Sequence, residues 1–196
     1  MAPNSAPDDF LRVLCAHLEK VGIEFMLTGS FVSTFYGDPR TTRDLDIILN
    51  AHEPPDLAMR EFVRLCLDSN FYVAEQAALE PLTHGRRQFN VISPNGWKAD
   101  LMWMQDRAFS KAEFERRQTI NVVGLNIAAP TPEDIVLAKL EWGSSSESRQ
   151  FSDAVSVIRV TGAAFDLAYA RKWANELDVA DLLEQAIAEA RASLLD

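Results

Sequence analysis

Cysteine is scarce in this chain: 196 residues hold two, Cys15 and Cys66, each inside an apolar helical pattern. That excludes a disulfide framework and a thiolate metal site, and it predicts two buried thiols in a reducing cytoplasm. Histidine is nearly as rare, and His17, His52 and His84 share no metal-ligand spacing. Long hydrophobic runs are missing, since no stretch approaches the roughly 20 residues that a bilayer demands. The acidic start from Met1 to Asp9 lacks the basic and apolar regions of a secretory signal. A cytoplasmic location and no membrane partner are expected. Basic residues are also short, with 19 Lys and Arg against 29 Asp and Glu, a net charge of −10. Such a balance argues against unspecific coating of nucleic acid or anionic membrane. A small anionic substrate would need local help, such as metal ions.

What is present describes an ordinary globular protein: 47% of residues are hydrophobic and 24% charged, enough for a core and a solvated surface. Charge is uneven along the chain, with −7 over residues 1–85, +3 over 86–117 and −6 over 118–196. The middle stretch is the one basic region. No internal repeat or heptad run occurs, and Gly143 to Ser148 reads as a flexible loop.

Phe10, Leu14, Leu18 and Val21 recur at helical spacing before Gly22, which predicts a first helix. Ile23 to Thr28 reads as a buried strand, Gly29-Ser30 as a turn, and Phe31 to Tyr36 as a short helix ended by Gly37-Asp38-Pro39. Asp44 to Leu49 is a second strand. Asp56 caps a predicted helix whose stripe is Met59, Phe62, Val63, Cys66 and Leu67. Strands at 71–75, 88–92 and 98–103 follow, the last two joined by the hairpin signal Pro94-Asn95-Gly96. One more strand is expected at 122–128. Thr131-Pro132-Glu133-Asp134 then opens a helix, followed by helices near 149–160, 164–177 and 179–194. The layout is α+β over residues 1–129, a mixed sheet flanked by helices, with a C-terminal helical domain over 130–196.

Side chains alternate along a strand, so Asp44 and Asp46 share one face about 7 Å apart at their Cα atoms, while Leu45 faces the core. Two adjacent ionised carboxylates repel and ask for a cation. Two divalent ions about 4 Å apart, held by such carboxylates, clamp an in-line displacement at phosphorus. The alternative is a solvent-exposed acidic pair at a strand end. Upstream, the strand-Gly29-Ser30-helix turn offers close backbone approach, free amides and a hydroxyl to a triphosphate, or else is a plain turn with Ser30 as N-cap. Asp100 interrupts an apolar strand. It is a candidate metal ligand or general base, or the partner of Lys98 in a salt bridge.

These residues resemble the nucleotidyltransferase superfamily that includes DNA polymerase β, through LTGS, a short helix and then YGDPRTTRDLDIIL. The Arg40-x-Thr42-x-Asp44-x-Asp46 form, with Gly37 before it, looks like minimal bacterial nucleotidyltransferases related to AbiE-type abortive-infection toxins. LAKLEWGSSSESRQFSDAV is similar to their C-terminal segment, with Lys139, Arg149 and Asp153 in its places, and the likeness covers most of residues 23–190.

The resemblance implies a nucleotidyltransferase-like fold and transfer of NMP from an NTP to an acceptor hydroxyl with release of pyrophosphate. Gly29 and Ser30 would hold the phosphates. Asp44, Asp46 and Asp100 would hold Mg²⁺, as a two-ion site, with Asp100 also activating the acceptor. Lys139, Arg149 and Arg40 would contact the nucleotide. Lys139 has a second reading as an exposed lysine paired with Asp134 or Glu141, and Arg149 one as the i,i+4 partner of Asp153. Trp97, Trp103, Trp142 and Trp173 read first as core residues, with Trp142, near Lys139, the one that could border a nucleotide. The acceptor is a tRNA 3′ end, a protein or a small molecule, with Arg86, Arg87, Arg107, Lys111, Arg116 and Arg117 as the footprint for RNA. The resemblance to toxin enzymes implies an antitoxin partner. The rival reading is a non-catalytic member that keeps the fold to bind a nucleotide or a protein.

Overall fold

The computed structural model describes residues 7–39, 41–42, 44–50, 56–80, 88–122, 124–143 and 145–193. The apolar stripe of the first helix is realised in α1 (Pro7–Lys20), whose Phe10, Leu14 and Leu18 are buried. Then come β1 (Phe25–Thr28), α2 (Gly29–Tyr36), β2 (Asp44–Leu49) and α3 (Asp56–Asp68). The middle of the chain forms β3 (Tyr72–Val73), α4 (Glu75–Leu79), β4 (Gln88–Ile92), β5 (Lys98–Trp103) and α5 (Ala108–Arg116). A hairpin, β6 (Gln118–Val122) and β7 (Leu125–Ala129), precedes α6 (Pro132–Gly143), α7 (Arg149–Thr161), α8 (Leu167–Glu176) and α9 (Ala180–Ala192).

Five strands form one mixed sheet in the order β1-β2-β5-β4-β3, in which β2 and β5 run parallel and the other neighbours antiparallel. Alternation does what the sequence demands. Leu45, Ile47, Leu49, Ala99, Leu101 and Trp103 turn to the buried face, where Phe62 of α3 meets Phe89 of β4 edge-on at 6.3 Å. Asp44, Asp46, Lys98 and Asp100 take the opposite face. Both cysteines are buried free thiols, pushed up to about 12 chiefly by burial. Over the C-terminal part, α7 packs against α6, α9 and α2, and the apolar core runs without a break from α1 to α9.

Three elements depart from the sequence reading. The strand expected at 71–75 shortens to Tyr72–Val73, because Glu75-Gln76-Ala77-Ala78-Leu79 is made of good helix formers and turns into α4. The strand expected at 122–128 is the second half of a hairpin. Gly124, at φ +78°, sits in the two-residue loop that brings Val122 opposite Leu125. Helix α5 has no sequence counterpart above, since its buried face mixes Phe109 and Phe114 with Ser110 and Glu113. Among the described residues, no helix is long and apolar enough to cross a membrane.

Candidate active site

Parallel pairing of β2 with β5 sets Asp46 directly opposite Asp100 and Asp44 opposite Lys98. The three carboxylates thus share one sheet face. Across the β1–β2 pairing, Thr28 lies opposite Asp46, so the chain leaving β1 must turn directly above that carboxylate. Gly29 makes the turn at φ +67°, and a Cβ there would stand 1.9 Å from Asp46 Oδ2. Only glycine meets both demands. Thr28 is the N-cap of α2, so Ser30 belongs to its first turn rather than capping it. The Ser30 amide donates to the Asp46 carboxylate.

Asp46 is half-buried, and burial first, then the charge of Asp100, holds its carboxyl above the usual carboxylate range. Asp100 accepts a hydrogen bond from Asn90 and an ion pair from Lys98 at 2.9 Å. Lys98 also stands 3.9 Å from Asp44, and the Asp100 contact raises its own pKa. The donor chemistry suits a hard divalent cation, which takes carboxylate oxygens. Among the described residues, however, no three His, Cys, Asp or Glu side chains stand close enough to hold a metal ion. A lysine ammonium occupies the place beside Asp100. With Lys98 paired to Asp100, the fit to a divalent ion rests on the carboxylate donor set alone.

Lys139 reaches this corner from α6. It is 5% exposed, and its Nζ donates to Ser30 Oγ at 3.1 Å, Gln150 Oε1 at 2.8 Å and Asp153 Oδ2 at 2.9 Å. Neither Asp134 nor Glu141 is its partner: Asp134 takes hydrogen bonds from Thr131 and Tyr169, and Glu141 pairs with Arg107. Arg149 is exposed at the start of α7 and lies outside the cavity lining, whereas its neighbour Gln150 is part of it. Arg40 and Arg43 fall outside the described residues.

A cavity of about 380 Å³ is lined by Gly29, Ser30, Asp46, Asp100 and Lys139 and also by Arg107, Glu113, Glu141 and Trp142. Asp44 is exposed at its edge of the strand and does not line the cavity. Glu113 was invisible to pattern reading because charged residues surround it. A helix drawn over 108–116 would have placed it one turn from Phe109, on the buried side.

The described cations of the basic stretch are each paired with an acid of the same chain. Arg107 is held in a two-point pair by Glu141, and Lys111 pairs with Asp106 at 2.6 Å. Arg116 pairs with Glu133 and stacks on Tyr169, and Arg117 pairs with Glu24 and stacks on Phe114. Arg86 and Arg87 lie outside the described residues.

No protein-family model and no curated protein sequence matches the chain. Solved structures do. An antigenic nucleotidyltransferase-like protein from Paracoccidioides brasiliensis superposes with a TM-score of 0.54 at 19% identity, covering 91% of each chain. The antibiotic-resistance factor ANT(2'')-Ia gives 0.54 at 12% identity over 94% of this chain and 91% of its own. In complex with adenylyl-2''-tobramycin the same factor gives 0.53, covering 94% and 97%. At these identities the likeness is one of architecture: the chain has a nucleotidyltransferase-like fold.

Proposed function

We propose that this protein is a magnesium-dependent nucleotidyltransferase acting at the Gly29-Ser30, Asp46, Asp100 and Lys139 corner. The observation that supports this reading is the convergence of four elements there: the α2 N-terminus, β2, β5 and Lys139 of α6. The first turn of α2 and the Ser30 hydroxyl would offer donors to phosphate oxygens, the Ser30 amide exchanging Asp46 for the phosphate. Lys139 adds a point charge, an incoming phosphate replacing its neutral partners Ser30 or Gln150 while Asp153 keeps the ammonium in place. Asp44, Asp46 and Asp100 would hold magnesium, one ion or two, and the metal would neutralise charge on the phosphates.

In the reaction, the acceptor oxygen bonds to the α-phosphorus as the bond to the β-phosphate oxygen breaks. Pyrophosphate leaves with the electron pair. The hydroxyl proton would pass to Asp100, a role its register opposite Asp46 supports. The acceptor is a tRNA 3′ end, a protein hydroxyl or a small molecule, and ANT(2'')-Ia with its adenylylated tobramycin supplies a precedent for the last. The resemblance of the Arg40 to Asp46 segment to abortive-infection toxins would add a restraining antitoxin partner to this proposal.

The Lys98 contact favours a second reading, a non-catalytic member that binds a nucleotide or a protein. Incubation with magnesium and each labelled NTP, with and without total tRNA, separates the two. Pyrophosphate release that disappears in Asp46→Ala supports catalysis. Saturable NTP binding with no turnover on any acceptor supports the second reading.

A further inference from the structure

Four residues form one patch of the sheet face at the candidate site. The register sets Asp44 opposite Lys98 and Asp46 opposite Asp100, so three corners of the patch are carboxylates and the fourth is an ammonium. Residues two apart on a strand are separated by about 7 Å, and neighbouring strands by about 4.8 Å. Lys98 Nζ stands 2.9 Å from Asp100 Oδ2 and 3.9 Å from Asp44 Oδ1, and so spans both strands. The other oxygen of Asp100 accepts from the Asn90 side-chain amide. A lysine thus takes the bridging place between two acids that a shared ion would take.

Charge counting gives the consequence. Asp44, Asp46 and Asp100 carry three negative charges when ionised, Lys98 returns one, and the two that remain are cancelled by a single divalent cation. Lys139 does not enter this count, because it pairs with a buried acid of its own, Asp153, at 2.9 Å. A second divalent ion would have to lie beside the Lys98 ammonium, which repels it. The lysine is also tethered: its backbone is fixed within β5, on the face that carries the acids.

We propose that Lys98 supplies the charge of one of the two cations in a two-ion clamp, so that this site takes one divalent ion, on the Asp46 side, rather than two. The inference rests on the nucleotidyltransferase reading of the site and deepens it. An ammonium donates hydrogen bonds and accepts no lone pairs, so Lys98 neutralises and orients Asp100 without acting as a Lewis acid. It is a positioning residue, acting through Asp100.

The test counts ions. The full chain and its Lys98→Met, Lys98→Gln, Lys98→Arg and Asp46→Ala variants are dialysed to equilibrium against saturating Mn²⁺, with ATP, CTP, GTP or UTP in turn and no acceptor. Ions held by a chain beyond those held by Asp46→Ala are the ions of the site. The wild type and Lys98→Arg, which keep the cation, should hold one such Mn²⁺, with the electron paramagnetic resonance spectrum of an isolated ion. Lys98→Met and Lys98→Gln should hold two, with the spectrum of a coupled pair about 4 Å apart. Circular dichroism and melting curves establish that each variant is folded. Two ions in the wild type overturn the inference whether or not any variant folds. One ion in the folded neutral variants, or two in Lys98→Arg, overturns it as well, and each of these results leaves the nucleotidyltransferase reading standing. A wild type that holds no more Mn²⁺ than Asp46→Ala overturns the inference; if it also binds no NTP, the reading falls with it.

Discussion

Lys98 Nζ lies 2.9 Å from Asp100 Oδ2, so a residue two positions along the same strand neutralises the acid that sits opposite Asp46. Three carboxylates on one face repel one another, and this ammonium is the cation that the protein supplies for itself. Its side chain is 35% exposed, and it has a path to solvent.

Lys98→Met should therefore change two measurements in opposite directions. Affinity for Mn²⁺, read by electron paramagnetic resonance, should rise two- to fivefold, the equivalent of about 0.5–1 kcal/mol for a partly exposed pair. Thermal stability without metal should fall, and added Mn²⁺ should restore it. Unaltered Mn²⁺ affinity would mean that Lys98 and a metal ion do not share the place beside Asp100.

Gly29→Ala tests the turn above Asp46. The left-handed backbone alone costs about 1–2 kcal/mol for an alanine, and the new methyl meets the Asp46 carboxyl, whose Oδ2 lies 1.9 Å from its ideal position. Urea unfolding should show a loss larger than the backbone term, since Asp46 Cβ also lies 2.8 Å from that position and β2 must shift as well as the carboxyl. Gly29→Ala combined with Asp46→Ala should recover part of the loss. Equal losses in the single and double variants would dismiss the carboxylate clash.

The Lys139–Asp153 pair is buried on both sides, 5% and 8% exposed. Removing one partner of such a pair strands the other, typically at about 3–5 kcal/mol. Asp153→Ala should fall in that range by chemical denaturation. Lys139→Met with Asp153→Leu should be far less destabilised than Asp153→Ala alone, because no buried charge is left unpaired. A double-variant cycle with no coupling would show that Gln150 and Ser30, not Asp153, hold the lysine.

Much of this was legible from local patterns. Strands 44–49, 88–92 and 98–103 carry alternation and turn signals within a few residues, so their bounds and the shared face of Asp44 and Asp46 follow from period-two reading. The register that puts Asp100 opposite Asp46 is a long-range property, because β2 and β5 are parallel and separated by more than 45 residues. Lys139 could be picked out by its motif, but its burial depends on α6, α7 and α2 packing together. Glu113 and the Arg107–Glu141 pair were hidden for the opposite reason. Charged residues in a polar-looking segment read as solvated, and only the tertiary fold turns that segment inward.

Glu113 also makes a pH prediction. Burial first, then the charges of Asp134 and Glu141 against the relief of Arg107, pushes its carboxyl up to about 8, from an ordinary value of 4.5. Below pH 4.5 the group is protonated in folded and unfolded chains alike. Between 4.5 and about 8 the unfolded chain releases the proton and the folded one keeps it, so stability falls as pH rises; above about 8 both are ionised and the slope from this group ends. Glu113→Gln removes this titration while keeping the shape. The melting-temperature advantage of Glu113→Gln over the wild type should therefore widen from pH 5 to about 8 and then level off, where other groups cancel in the comparison. A difference that stays flat across that interval would show that the Glu113 carboxyl titrates as it does in water, and that the cavity wall is wetter than its burial indicates.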